Sequence, residues 1–312
     1  MDKQPLSPVA ELDAQLFVTV GKSIDEMNRI KRPPITYWKD AWRRLKSNKV
    51  AMIAAALLLI IVLLAIFIPA LSPYEYSTQS KDTNLLPNAD HWFGTDSLGR
   101  DLLTRCWAGA RVSLCIALVS TLVSVVIGIL YGGISGYFGG RTDLIMMRGC
   151  EIIYSVPDLL WVILLTVVLG PGLQTIIIAI SITGWGSMAR LVRGQVLQLR
   201  QSEYVLASRT LGANFKWIIL KDLIPNMMGP IIIDLTFSIP SAIFTEAMLS
   251  YLGLGVPVPL ASWGTLANEG AKMLLLMPYQ LMFPALLISL TMLGFNLLGD
   301  GLRDALDPKL RR

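Results

Sequence analysis

Apolar residues gather into six long runs, at about residues 50–71, 112–136, 150–169, 173–189, 228–249 and 279–298, with polar segments between them. About 20 apolar residues cross the hydrocarbon core as a helix, which satisfies its own backbone N–H and C=O groups where no water can. Each run is therefore predicted to be a membrane-spanning helix, and the fold class is all-α and polytopic. The third run carries Glu151, Pro157 and Asp158 near its start, and the fifth carries Asp234, Pro240 and Glu246. Their boundaries are the least sharply drawn.

Orientation follows from Lys and Arg, which favour the cytoplasmic side. With the N-terminus inside, the tail up to Lys49 holds ten, Arg141 and Arg148 lie in the loop after the second span, six lie in 190–227, and the C-terminal tail holds four. Of the 27 basic residues, only the four in 72–111 and Lys272 then fall outside. Both termini are predicted to be cytoplasmic, in a multi-pass protein of the plasma membrane. The divisions are a cytoplasmic tail with an interfacial helix (1–49), a first span and outer loop (50–111), a core of five spans (112–300) and a cytoplasmic tail (301–312).

Composition agrees. The chain is 54% hydrophobic and 16% charged, against about 25% charged in soluble domains. The net charge of +5 is absorbed by topology, so no nucleic acid is expected as a partner, and the lipid bilayer is. Cys106, Cys115 and Cys150 have no metal-ligand spacing and read as small buried hydrophobes. His91 is the single histidine, so no metal site or catalytic centre is expected. Gly21-Lys22-Ser23 imitates the end of a phosphate loop, but Leu16 stands where such a loop needs glycine.

Loops between bundled helices usually span two to eight residues, so the segment 190–227 needs a reason. Tyr204, Ala207, Ser208 and Leu211 recur at helical spacing, beside Glu203, and Gly212 is placed to end the helix in a left-handed conformation. A second short helix is predicted to stop at Pro225. Two readings fit this knob: a plug for a groove on a soluble partner, or an amphipathic hairpin on the membrane anchored by Lys216 and Trp217.

Several motifs together resemble one family. The segment Glu203-Tyr-Val-Leu-Ala-Ser…Leu211-Gly-Ala…Pro225 is similar to the cytoplasmic coupling loop of binding-protein-dependent ABC importers. Leu206 stands at the position of that signature's glutamate, and Asp222 where isoleucine is usual. His91-Trp-Phe-Gly94-Thr-Asp96-Ser-Leu-Gly99-Arg100-Asp101, Gly139-Gly140…Asp143, Leu249–Gly255 with Ser262-Trp263-Gly264, and Gly299-Asp-Gly-Leu-Arg-Asp-Ala-Leu-Asp-Pro follow in order. From about residue 36 onward these resemble the permease C-subunit of oligopeptide and dipeptide importers. The resemblance implies a type I ABC importer permease fold, a paralogous permease B-subunit, two ATPase subunits and an extracytoplasmic peptide-binding protein. ATP and Mg would be bound by the ATPases and no cofactor by this chain. Oligopeptides are the expected cargo, with dipeptides or a nickel chelate as alternatives. An ion-coupled secondary transporter would show repeats with interrupted helices, and no internal repeat is visible.

Single residues refine the picture. A charged group inside a membrane usually faces a bundle interior or a wet cavity, so Asp234, Ser238 one turn on, and Glu246 are candidates for the solute pathway. A hydrogen bond to a neighbouring helix is the rival role. Arg148 and Glu151, three residues apart, are placed to pair. Gly94, Asp96, Gly99, Arg100 and Asp101 predict a tight, charge-paired external loop. Trp38, Trp42, Arg43, Arg44 and Lys46 predict an interfacial helix before the first span, and Leu302 and Leu306 a short surface helix stopped by Pro308.

Overall fold

A computed structural model describes residues 36–307; Gly21-Lys22-Ser23 and Pro308 lie outside them. The chain divides into two units, Met1–Asp40 and Ala41–Arg312. Of the first unit the described part is 36–40, which opens helix α1 (Tyr37–Ser47). Elements of the second are α2 (Lys49–Leu71), α3 (Leu102–Phe138), α4 (Gly140–Ser155), α5 (Asp158–Leu169), α6 (Leu173–Leu199), α7 (Glu203–Thr210), α8 (Phe215–Tyr251), α9 (Trp263–Lys272) and α10 (Tyr279–Leu306).

Helices α2, α3, α6, α8 and α10 are each long and apolar enough to cross a membrane. The third predicted span is instead a broken pair, α4 and α5, meeting at 83°. Its cause is Pro157, whose ring disfavours helical backbone at Val156, and Val156 is indeed extended (ψ 124°). Among the described residues five helices are thus long and apolar enough to span, and the bent pair makes a sixth where its two arms count as one span.

The helices outrun the apolar windows that predicted them. At about 1.5 Å per residue, α3 is some 55 Å long against a core of about 30 Å. It starts ten residues before the predicted 112, at Leu102, capped by Asp101, whose carboxylate accepts from Thr104 N. It ends at Gly139, which takes φ +65°. Likewise α6 continues past Ala189 to Leu199, because Arg190 and Arg193 end an apolar run without ending a helix. The short surface helix expected at Leu302 and Leu306 is the last part of α10, and Leu302 packs with Leu45, Ala51 and Ala305.

Pro225 does not stop the second helix of the 190–227 loop. A π-helical stretch, Ile218–Leu223, carries α8 through it, with Ile224 N donating to Ile219 O, five residues back. Widening the turn relieves the clash between a proline ring and the carbonyl four residues earlier. The loop's second helix and the fifth span are thus one rod. Pro69 in α2 is compensated differently: it cannot donate to Ala65 O, and Arg111 Nε from α3 does so at 2.6 Å.

The core is organised about α3 and α6, the most extensive helix pair. Gly128, Gly132 and Gly136 recur every four residues along α3 and face Met188, Ala189, Arg193 and Val196. Small residues at this spacing let two backbones approach within a membrane. Helix α8 packs on α10 and α3, α2 on α10 and α3, and α9 on α10, α8 and α3. Cys106 and Cys150 are buried as expected, but Cys115 is exposed, on the side of α3 that turns away from this core.

Candidate functional site

Four helices converge on a polar cleft. Its walls come from Thr121 and Ser124 of α3, Asp158 at the start of α5, Thr183 and Ser187 of α6, and Asp234, Ser238, Ser241 and Thr245 of α8. A hydroxyl in a helix normally returns its proton to a carbonyl of the preceding turn, as Ser187 does to Gly184 O at 2.9 Å and Thr245 to Ser241 O at 2.9 Å. Ser124 donates instead to Ser181 O of α6 at 3.4 Å, and Thr121 Oγ1 is buried with no partner. Gly184 holds the wall open: a Cβ there would stand 2.8 Å from Ser124 Oγ.

Asp234 and Ser238 both face this cleft. Glu246 does not. It lies three turns further along α8, wholly buried, accepting from Ser113 Oγ at 2.9 Å and Ser250 Oγ at 2.7 Å. Ser113 Oγ in turn accepts from Trp263 N at 3.1 Å, and Trp263 Nε1 donates to Cys106 O at 3.0 Å. This network joins α3, α8 and the start of α9. Gly264 is required there, because a Cβ would sit 2.6 Å from Ala247 Cα. Sequence reasoning missed Asp158 as a wall of the cleft. Its signal was a carboxylate placed just after a helix-breaking proline inside an apolar run.

The knob is built on α7. Val205 alone of that helix is buried, in a cluster with Val192, Val196, Ile218 and Leu223. Tyr204, Leu206, Ala207 and Leu211 point away, and Leu211 is 87% exposed. Glu203 sits in the first turn, where the helix dipole favours an acid, and Ser208 is half-buried. Gly212 takes φ +85° with open space where a Cβ would lie, so glycine is needed there for its backbone conformation alone. Ala213 N donates to Ser208 O and Gly212 N to Arg209 O, which turns the chain into α8.

Anchors tie the knob to the end of α3. Phe215 packs on the rings of Tyr137 and Phe138, Arg209 lies over the Tyr137 ring, and Arg200 Nη1 donates to Gly136 O at 3.0 Å. Nearby, Arg193 of α6 forks onto both oxygens of Asp143, which also accepts from Ser135 at 2.6 Å. Asp143 lies outside the membrane-facing apolar runs that predicted the spans. Pro225 is exposed on α8, thirteen residues beyond Gly212.

At the other end of the bundle the 72–101 loop is held by charge. Gly94 and Gly99 have φ +76° and +71°. Asp96 accepts from the backbone N of Leu98 and Arg100, from Arg100 Nε at 2.7 Å, and from Arg105 Nη1. Arg105 and Arg100 also donate to Glu269 of α9, at 2.7 and 3.2 Å. Asp101 holds His91 Nδ1 at 2.9 Å as well as capping α3. Arg105 and Glu269 were absent from the predicted cluster: Arg105 belongs to the unexpected first turns of α3, and Glu269 lies 164 residues away in sequence.

Arg148 and Glu151 do pair, at 2.6 Å, but both are largely exposed. A solvent-screened pair of this kind contributes little. Replacing Arg148 with alanine is expected to change stability by less than about 0.5 kcal/mol, read as an unchanged thermal midpoint in detergent.

Comparison with known proteins gives concordant results. Residues 97–312 match the model of the family described as binding-protein-dependent transport system inner membrane component. Residues 36–87 match that of the N-terminal TM domain of oligopeptide transport permease C. The oligopeptide transport system permease protein OppC of Bacillus subtilis (strain 168) is 54% identical over 95% of this chain and 98% of its own. The dipeptide transport system permease protein DppC of the same organism is 55% identical over 95% and 93%. The glutathione transport system permease protein GsiD of Pectobacterium atrosepticum is 38% identical over 88% and 92%. Among solved structures, a chain of the MetNI methionine ABC transporter in an inward-facing conformation is alike in fold. It has a TM-score of 0.54 at 20% identity, over 66% of this chain and 96% of that one.

Proposed function

The chain belongs to the family of binding-protein-dependent transport system inner membrane components, and from that membership we propose that it imports peptides as one of two paired permease subunits. It is a multi-pass, non-catalytic membrane component of an ABC importer. The finer reading is oligopeptide import, with dipeptides as the alternative: the two Bacillus relatives named for these cargoes are equally similar. That equality fits selection of peptide length by an extracytoplasmic binding protein. Two ATPase subunits would bind ATP and Mg and dock on the side that carries the knob.

One observation carries the coupling. An eight-residue helix outside the spans buries Val205 and turns Tyr204, Leu206 and Leu211 outward. Exposed apolar groups rigidly mounted on a polar loop fit a partner's groove. The rod α8 runs from the knob to Asp234 and Ser238 without a break, so a push on one end moves the other. The 22 basic residues placed with the termini support cytoplasmic orientation for this face. Asp234 and Ser238 are assigned to the pathway, and Glu246 to the network that fastens α9.

Vesicles holding this chain with its permease partner, ATPases and binding protein are expected to accumulate a labelled peptide when ATP is supplied on the knob side. Omitting this chain should abolish accumulation. Uptake driven by an ion gradient without ATP would overturn the assignment.

A further inference from the structure

The cleft has an imbalance of charge. Asp158 and Asp234 both line it, and its wall contains no Lys, Arg or His. Neither carboxylate has an ion pair among the described residues. Asp234 is half-buried and Asp158 exposed at the mouth of the cleft, and a carboxylate drawn part-way into a membrane bundle is costly unless something positive meets it. An independent feature points to the same place. Thr121 is 4% exposed and lines the cleft, yet its Oγ1 has no hydrogen-bond partner. The Ala117 carbonyl one turn back, which it would ordinarily use, accepts from Ser120 instead at 3.3 Å. A buried hydroxyl without a partner thus lies beside two carboxylates that meet no cation, Asp234 being held by the Ser238 hydroxyl, which leaves acceptor capacity for a cationic donor.

We propose that this cleft binds the ammonium group of the solute, with Asp158 and Asp234 as its counter-charges and Thr121 Oγ1 as a neutral acceptor. The proposal rests on the peptide-import reading, and the group it selects is the free amino terminus that every unmodified peptide carries. An ammonium has three donors and no acceptor, which matches two carboxylates and a hydroxyl. A divalent metal would need more: calcium takes six to eight oxygens and magnesium a strict octahedron, and no group of three or more acidic, His or Cys ligands exists among the described residues. Recognition of one end leaves the side chains unread, as a carrier of varied peptides requires.

The test uses the complete transporter in vesicles, with trialanine and its desamino analogue as probes. Asp234→Asn and Asp158→Asn are each expected to lower trialanine uptake about tenfold, the loss of one charge-assisted hydrogen bond. Asp234→Glu should restore most of it. Uptake of the desamino analogue, which lacks the group, should not change between wild type and the two variants. Equal losses for both probes, or unchanged trialanine uptake, would overturn the proposal. If the binding protein refuses the analogue, thiol labelling decides. In a Cys115→Ser, Ser241→Cys background a cationic methanethiosulfonate should label about tenfold faster than an anionic one. That preference should vanish in the double Asn variant, and equal rates before it would refute the idea. If wild-type vesicles take up neither probe, it is the import reading that fails.

Discussion

Gly132→Ala is expected to destabilise the folded chain by about 2–3 kcal/mol, at the upper end of what overpacking costs, while Gly133→Ala is tolerated. The two glycines are adjacent on α3, and their surroundings differ completely. A Cβ on Gly132 would overlap the Ala189 carbonyl and stand 3.0 Å from Arg193 N. Both obstacles are backbone, so no side-chain rotation relieves the clash, and α3 and α6 must separate. Separation at that point propagates to Gly128 and Gly136, which face the same helix so closely that a Cβ on them would stand 2.6 Å from Met188 Cβ and 2.9 Å from Arg193 O. On Gly133 a Cβ would meet only Ile219 Cδ1 at an ordinary 3.6 Å. There the substitution should be neutral or gain up to about 1 kcal/mol from helix propensity. Thermal unfolding in detergent and the amount of chain recovered from membranes measure both. Equal midpoints for the two variants would show that α3 and α6 are not in backbone contact.

That stripe marks a limit of sequence reading. Run lengths identified the helices because hydropathy reports the lipid environment directly, and the charge bias follows from the same loops. Neither reports where a helix ends once it leaves the lipid. Hence α3 and α6 extend ten residues beyond their apolar runs, and α8 continues through Pro225. Helical continuity there depends on a π turn that re-registers the hydrogen bonds, and this leaves no composition signal. Contacts between distant segments were hidden for a different reason. Nothing local couples Arg105 to Glu269, or Glu246 to Ser113, 133 residues away. Asp234 was legible as a polar group in an apolar run, but its cleft required Asp158 and Thr121 from other helices. Gly212 was legible because left-handed backbone after a helix strongly favours one residue type.

Leu211→Arg is expected to reduce ATP-driven uptake by about 30-fold or more without disturbing the fold. Its side chain is 87% exposed and lies outside every buried apolar cluster among the described residues. Stability therefore gives no reason to keep a leucine in water, and a charge there should leave the thermal midpoint unchanged. If a partner's groove receives this residue, however, the same charge would be buried unpaired. Truncating or charging a central interface residue of this kind typically costs 2 kcal/mol or more, which is about 30-fold in a docking equilibrium. Leu86→Arg is the matching control. It is also an exposed leucine, 65% accessible, but it lies in the 72–101 loop at the opposite end of the bundle. Retention of the ATPases during purification separates the possible causes. Loss of both retention and uptake in Leu211→Arg alone places the docking surface on α7. Loss of uptake with the ATPases retained would instead place the coupling step further along the rod, toward the cleft. Unchanged uptake would sink the coupling role of the knob and leave its exposed apolar face to the membrane surface, where Trp217 and Lys216 would anchor it.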